Sequence, residues 1–142
     1  MDASPQIDLS TFRKALAVLQ EAIQFWHAQT DGAALKAHLR SAVIQSFEFS
    51  YELALRSLRR TLMERAIAAE GVTELSFNDL LRLAADSGLT PDALGWRRWR
   101  ELRNSTSHSY DERRADEVAK GAEIFLPEAL DLLARLELAQ DG

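Results

Sequence analysis

Hydrophobic positions recur at intervals of three and four along most of the chain, which is the spacing of amphipathic helices. Asp8 or Ser10 is expected to cap the first helix, and the stretch 30–32 to end it. Its apolar stripe consists of Leu9, Phe12, Leu16, Leu19, Ile23 and Trp26. A second stretch, from about Ala33 to Ala69, contains no Gly or Pro and would be about 55 Å long as one helix. Such a helix needs partners along its length, which favours a long antiparallel bundle, a dimer, or both.

Capping signals predict two shorter helices in the second half of the chain. Ser76 and Asp79 have the spacing of a capping box, which opens a third helix. Thr90 before Pro91 is a typical start for a fourth, which should fray over the poor helix formers at 104–107.

The last helix completes the fold prediction. Ser109 and Glu112 form another capping-box spacing at its start, and Pro127 inside it predicts a kink. No segment alternates with period two for long enough to indicate a strand. The chain is therefore predicted to be all-α, an up-and-down bundle of about five helices in a single domain, residues 1–142.

Composition excludes several classes of protein. The chain has no cysteine, which removes thiolate zinc sites, iron–sulfur clusters, disulfides and cysteine nucleophiles. We find no signal peptide, and no apolar run approaches the ~20 residues that span a membrane. We therefore expect a cytoplasmic protein without membrane contact.

Positive charge is concentrated in two places on an acidic chain of net charge −5. Residues 96–114 carry six arginines against three acidic residues, and residues 56–65 carry four arginines against one glutamate. These zones could steer a polyanion, or could be solvated helix faces.

Several kinds of catalytic site are missing from the sequence. It has no Gly-rich phosphate loop and no H-E-x-x-H, and no two acidic residues are separated by a single residue. Because nucleotidyl transfer usually needs such paired carboxylates for Mg²⁺, the chain is not expected to be a nucleotidyltransferase. The three histidines, at 27, 38 and 108, are too scattered for an obvious metal site, so we predict no metal and no cofactor.

The segment 103–110 places an arginine, a histidine and a tyrosine around a helix end. Arg103 offers a charged fork of donors for a phosphate, and His108 can move a proton near neutral pH. Together they could support metal-free RNA cleavage, in which a 2′-OH attacks the adjacent phosphate. The alternative is structural: Arg103 pairs with a carboxylate and His108 caps a helix end.

The motif Arg103-Asn104-x3-His108-x-Tyr110 resembles the R-x4-H-x-Tyr signature of the HEPN superfamily. The closer resemblance is to its branch of nucleotidyltransferase substrate-binding proteins, which overlaps the HepT-like toxins. Residues 46–54 are similar to that branch's F-E-x-x-x-E-L segment, and Trp99 also fits. Leu55-Arg56 departs from the common Trp-Lys, which bears on local packing. The resemblance covers about residues 9–138.

This resemblance implies a helical homodimer in which the two signatures face each other across a cleft. Its usual partner is a separate minimal nucleotidyltransferase. In the toxin–antitoxin version the helical protein is a metal-independent ribonuclease acting on RNA rather than DNA, and the partner silences it by transferring AMP to the signature tyrosine, here Tyr110. In the other version the helical chain binds a nucleotide or phosphorylated substrate without catalysis. A structural dimer without a ligand is the third hypothesis.

Further residues enter the site hypothesis with less support. Asn104 belongs to the signature and is expected to support it. Glu48 and Glu52 lie one turn apart on the long helix, where one of them could orient Arg103 or His108. Alternatively, Glu52 pairs with Arg56 and Glu48 is a surface residue. We predict that at least one of the two carboxylates lies within hydrogen-bonding reach of segment 103–110.

One expectation concerns the exposure of the Tyr110 side chain. The hydroxyl of Tyr110 should be exposed if it is modified, although a tyrosine at a helix junction is more often a residue at the core edge.

RNA cleavage needs a base and an acid, yet each chain offers one suitable histidine. A two-fold axis should therefore bring two His108 side chains to one groove. The long predicted helix, Trp96 and Trp99 should together supply apolar surface for that dimer.

Overall fold

The computed structural model describes residues 8–65 and 69–141, and these form an all-α bundle without a strand. Two short 3-10 turns flank the fifth helix, at Leu94–Trp96 and Thr106–His108. The six α-helices are α1 (Ser10–Ala28), α2 (Ala33–Arg65), α3 (Ala69–Thr73), α4 (Phe77–Asp86), α5 (Arg97–Ser105) and α6 (Glu112–Asp141). The all-α class is thus confirmed, with one short helix more than the five predicted.

The starts of α1 and α4 agree with the capping signals. Asp8 Oδ1 accepts a hydrogen bond from the Ser10 backbone N–H at 2.8 Å, and Ser76 Oγ accepts one from the Asp79 N–H at 3.2 Å. Gly32 ends the first connection with φ +78°, a conformation that glycine adopts without strain. The predicted second helix is described as far as Arg65, and its next three residues lie outside the described part of the chain.

Two predicted helix starts were wrong. The fourth predicted helix does not begin at Pro91, because Asp92 Oδ1 and the Asp92 carbonyl both accept from the Gly95 N–H at 3.1 Å and hold a turn there. The last helix is capped by Asp111 rather than Ser109, since Asp111 Oδ1 accepts from the Arg113 N–H at 2.9 Å. An aspartate next to the first helical residue outcompetes a more distant serine for these N–H groups.

The core lies where α1, α2 and α6 pack side by side, with α5 across α6. Phe125 of α6 is its aromatic centre, meeting Phe47, Trp96 and Trp99 edge-on at ring-centroid distances of 5.0, 5.8 and 5.5 Å. Trp96 and Trp99 are only 2% and 3% exposed. The expectation that these tryptophans supply a dimer surface was therefore wrong, because the fold of one chain already buries them.

A glycine sets how closely α5 approaches α6. A Cβ at Gly121 would lie 2.6 Å from Leu102 Cδ2, well inside van der Waals contact. The missing side chain leaves room for the Leu102 side chain of α5 against α6. α6 itself continues through Pro127, the residue at which a kink is predicted.

None of the helices in residues 8–65 and 69–141 combines the length and the hydropathy needed to cross a membrane.

Candidate functional site

Arg103 lies in the last turn of α5 and points toward α2, where two carboxylates hold it. Its Nη2 donates to Glu52 Oε1 at 3.1 Å, and its Nη1 lies 3.3 Å from Glu48 Oε2. About a third of the Arg103 and Glu48 side chains is exposed, against about half of Glu52. Because residues i and i+4 of a helix share a face, the two glutamates form one acidic edge for the guanidinium. The predicted contact between these glutamates and segment 103–110 is confirmed.

Thr106 also positions the Arg103 side chain, although it was not among the residues chosen from the sequence. Its hydroxyl is buried, donates to the Arg103 carbonyl at 2.7 Å and accepts from Arg103 Nη1 at 3.0 Å. The Arg103 guanidinium therefore has three oxygen partners from two elements. The one signal that pointed to Thr106 was its position three residues after Arg103, the spacing at which a side chain reaches back to a helical carbonyl.

Tyr51 extends the site along α2. Burial raises the pKa of its phenol to about 12, while the nearby positive charges of Arg100 and Arg103 oppose that rise. The phenol therefore stays neutral at physiological pH, beside two guanidinium groups. Tyr51 follows Glu48 by three residues, so a helical face drawn through the two glutamates also includes it.

The remaining members of the signature segment, residues 103–110, lie at the surface. His108 ends the 3-10 turn after α5 and is exposed, and its ring centroid is 6.3 Å from that of Tyr110. Tyr110 is 85% exposed, so its hydroxyl is accessible as predicted. Asn104 is also exposed, and its carbonyl accepts from Ser107 Oγ at 3.1 Å. One end of the segment is thus fixed to α2, and its other end faces solvent.

The structure bears out one part of the structural alternative, because Arg103 forms carboxylate pairs. His108 and Tyr110, five and seven residues further along the chain, are exposed. An arginine held by carboxylates keeps a defined orientation while its positive charge is partly balanced. In the described part of the chain, no group of three or more His, Cys, Asp or Glu side chains could hold a metal ion.

Comparison with known proteins gives concordant results. Residues 7–138 match the model of a protein family described as “Nucleotidyltransferase substrate binding protein like”. The chain is 40% identical over 98 residues to a Haemophilus influenzae protein named probable ribonuclease HepT, a match covering 69% of this chain and 67% of that protein.

Two solved structures are similar in fold. HI0074 of Haemophilus influenzae, described as revealing the fold of a substrate binding domain of a nucleotidyltransferase, matches with a TM-score of 0.84 at 32% identity, over 92% of this chain and 99% of that one. A Thermus thermophilus protein matches with a TM-score of 0.67 at 29% identity, over 88% of this chain and 98% of that one.

Proposed function

The chain belongs to the nucleotidyltransferase substrate-binding protein family, as its signature indicated, and from this premise we propose that it is a metal-independent ribonuclease. The observation that carries the proposal is the anchoring of Arg103 by Glu48, Glu52 and Thr106, five residues before an exposed His108. The name of the Haemophilus influenzae relative supports the same activity.

The reaction follows from what the two side chains can do. A ribose 2′-OH attacks the neighbouring phosphorus, the bond to the 5′-oxygen breaks, and the products are a 2′,3′-cyclic phosphate and a 5′-OH end. Arg103 stabilises the additional negative charge that develops on the phosphate oxygens. His108 takes the proton from the 2′-OH or gives one to the leaving oxygen.

A single histidine performs one of these two proton transfers, so the complete site needs a second group. We place it on a second copy of the chain, in an isologous dimer with both His108 side chains along one groove. Mixed dimers of wild type with His108→Ala test this arrangement. A shared groove requires that such heterodimers have almost no activity, whereas half of the wild-type activity per dimer would show that each site works alone.

Tyr110 is the proposed control point. A partner nucleotidyltransferase would transfer AMP from ATP to its exposed hydroxyl, next to the His108 ring, and the phenol proton and pyrophosphate would leave. The attached nucleotide would block the groove by its bulk and repel RNA by its negative charge. Co-expression with the partner should add the mass of AMP to a peptide containing Tyr110, and suppression of activity with an unmodified Tyr110 would mean that the partner acts by occlusion.

The test of the ribonuclease itself compares two exposed histidines. Purified wild-type protein should cleave RNA in the presence of EDTA, and its expression should arrest growth. His108→Ala should lower the cleavage rate by about 10²–10⁴-fold, the usual contribution of a general acid or base. His38→Ala, at an exposed position of α2 outside the signature segment, should keep wild-type activity. Equal rates for all three proteins would exclude the proposed chemistry.

A second candidate function is a non-catalytic subunit that holds a nucleotide or phosphorylated substrate for a nucleotidyltransferase. The pairing of Arg103 with two carboxylates favours it, because a guanidinium that is already partnered suits modest, reversible anion binding. This candidate predicts nucleotide binding that is lost in Arg103→Ala, without growth arrest or RNA cleavage by the wild-type protein.

A further inference from the structure

A polar groove opens between the start of α4 and the outer face of α5, next to the signature segment. Its volume is about 360 Å³, enough for a nucleotide. The groove is lined by Phe77, Asn78, Arg97, Arg100, Glu101 and Asn104. Arg97, Arg100 and Asn104 follow the i, i+3, i+7 spacing of one helix face, so the groove runs along α5 to the Asn104 of the signature.

The two arginines of the groove differ from the other two arginines of α5 in their ion pairs. Arg98 and Arg103 of the same helix each pair with carboxylates. Within residues 8–65 and 69–141, Arg97 and Arg100 form no ion pair with a carboxylate. Arg97 Nε donates to Asn78 Oδ1 at 3.0 Å, which orients its guanidinium and leaves its terminal N–H groups for another acceptor. An arginine that is oriented but lacks an anionic partner is suited to a phosphate.

An aromatic platform forms the other part of the groove. The guanidinium of Arg100 lies over the ring of Phe77, 4.8 Å from its centroid. Arg100 is an exposed residue, and nucleobases stack on guanidinium planes as well as on aromatic rings. Arg100 is also close enough to Tyr51 to act on the phenol together with Arg103, so the groove and the anchored arginine are neighbours.

Glu101 makes the groove selective for more than a bare anion. Its carboxylate lowers the local charge from +2 to +1, which weakens the attraction for a bare phosphate. The same carboxylate accepts hydrogen bonds from a ribose 2′-OH or a base amino group, and the two asparagine amides can donate and accept. These groups together fit one nucleotide of a strand better than they fit a free phosphate.

We propose that the groove between α4 and α5 binds a nucleotide of the RNA strand adjacent to the cleaved phosphate, with its phosphate on Arg97 and Arg100 and its base on the Arg100–Phe77 stack. Along α5, Arg100 and Arg103 are three residues apart and so are neighbours on the helix surface, which lets one strand contact both. The inference rests on the proposed action on RNA, because it extends the same site by one binding position.

Binding without cleavage tests this assignment. A fluorescent single-stranded RNA of about ten nucleotides is titrated with His108→Ala protein, and then with the same protein carrying Arg97→Gln and Arg100→Gln. We expect at least a tenfold loss of affinity at about 0.1 M salt. The slope of log K against log salt should fall by about 0.7, since the two arginines share one phosphate and each phosphate contact on a single strand contributes ~0.7.

The control removes the same charge elsewhere. Arg13→Gln with Arg135→Gln, on α1 and α6 outside the groove, should change affinity less than threefold. Equal losses in the two double variants would show a general charge effect and overturn the groove, as would unchanged binding after the Arg97 and Arg100 substitutions. Failure of His108→Ala protein to bind RNA would overturn it too.

Competition identifies the ligand class, and a separate measurement distinguishes this inference from the ribonuclease proposal. AMP should displace the labelled RNA at concentrations at least tenfold below those at which inorganic phosphate does so. Equal potency of AMP and phosphate would show a general anion site and overturn the nucleotide assignment. Cleavage by wild-type protein is scored independently. If RNA binds in the groove but wild-type protein does not cleave it, the ribonuclease proposal is refuted and the groove is retained. If the groove substitutions change neither cleavage nor binding, the groove is refuted and the ribonuclease proposal is retained.

Discussion

Replacing Glu48 by Gln measures directly what the acidic edge of α2 does for Arg103. The substitution keeps the size of the side chain and removes its charge, 3.3 Å from Arg103 Nη1. Ion pairs at exposed positions contribute about 0.2–1 kcal/mol, and the Glu48 pair should lie at the upper end because two-thirds of both side chains is covered. We therefore expect a loss of ~1 kcal/mol, or a fall in Tm of about 3–4 °C for a chain of this size.

The effect on activity should exceed the effect on stability. With its charge partner removed, Arg103 samples more orientations, so kcat for RNA cleavage should fall by about tenfold while KM changes little. Thermal unfolding and single-turnover cleavage measure the two effects separately. A double-mutant cycle with Arg103→Gln should give a coupling free energy of about 0.5–1 kcal/mol, because the two residues are in contact.

A matched ion pair elsewhere provides the control. Asp131 Oδ2 pairs with Arg135 Nε at 2.9 Å on the exposed face of α6. Asp131→Asn should cost a similar or smaller amount of stability and leave cleavage unchanged. If Glu48→Gln and Asp131→Asn gave the same kcat as wild type, or if the cycle gave no coupling, the carboxylate would not position Arg103 and the reasoning would be refuted.

Three further substitutions test other parts of the site and its support. Tyr51→Phe should remove a pH dependence of folding stability. Because the pKa of the Tyr51 phenol is raised to about 12 in the folded state, its contribution to stability is full below about pH 10 and is lost as pH rises toward 12. Chemical denaturation between about pH 9 and 11.5 should therefore show wild type losing about 1–2 kcal/mol more than Tyr51→Phe, and parallel profiles would contradict the burial of the phenol. Thr106→Val should cost about 1–2 kcal/mol and lower kcat, since it removes both hydrogen bonds to Arg103, whereas Thr106→Ser should restore kcat; equal kcat values for the two variants would refute that role. Gly121→Ala should destabilise by about 1–3 kcal/mol because Leu102 must move, while Gly71→Ala, which meets open space, should not; similar Tm values would exclude close packing at Gly121.

The sequence predicted the helices well because their apolar stripes are long and regular. The six residues of the first stripe lie on α1 or at its cap, and five of them are buried. The errors occurred where short polar side chains compete for the same backbone N–H groups. Asp111 caps α6 in place of Ser109, and the Asp92 turn delays α5 beyond Pro91. Spacing alone does not rank such competitors, because each satisfies a capping pattern.

The candidate site combines residues that are close together in the sequence with contacts between residues that are far apart in it. Arg103, His108 and Tyr110 could be chosen because they lie within eight residues of one another and have complementary chemistry. The contacts with Glu48 and Glu52 join positions 55 and 51 residues apart, and they could be suggested only through a shared helix face. Which face of α2 meets α5 depends on the packing of α5 against α6. That packing depends in turn on Gly121, whose missing side chain admits Leu102. A residue without a side chain carries no chemical signal, yet it leaves the space that the Leu102 side chain, next to Arg103 in the chain, occupies against α6.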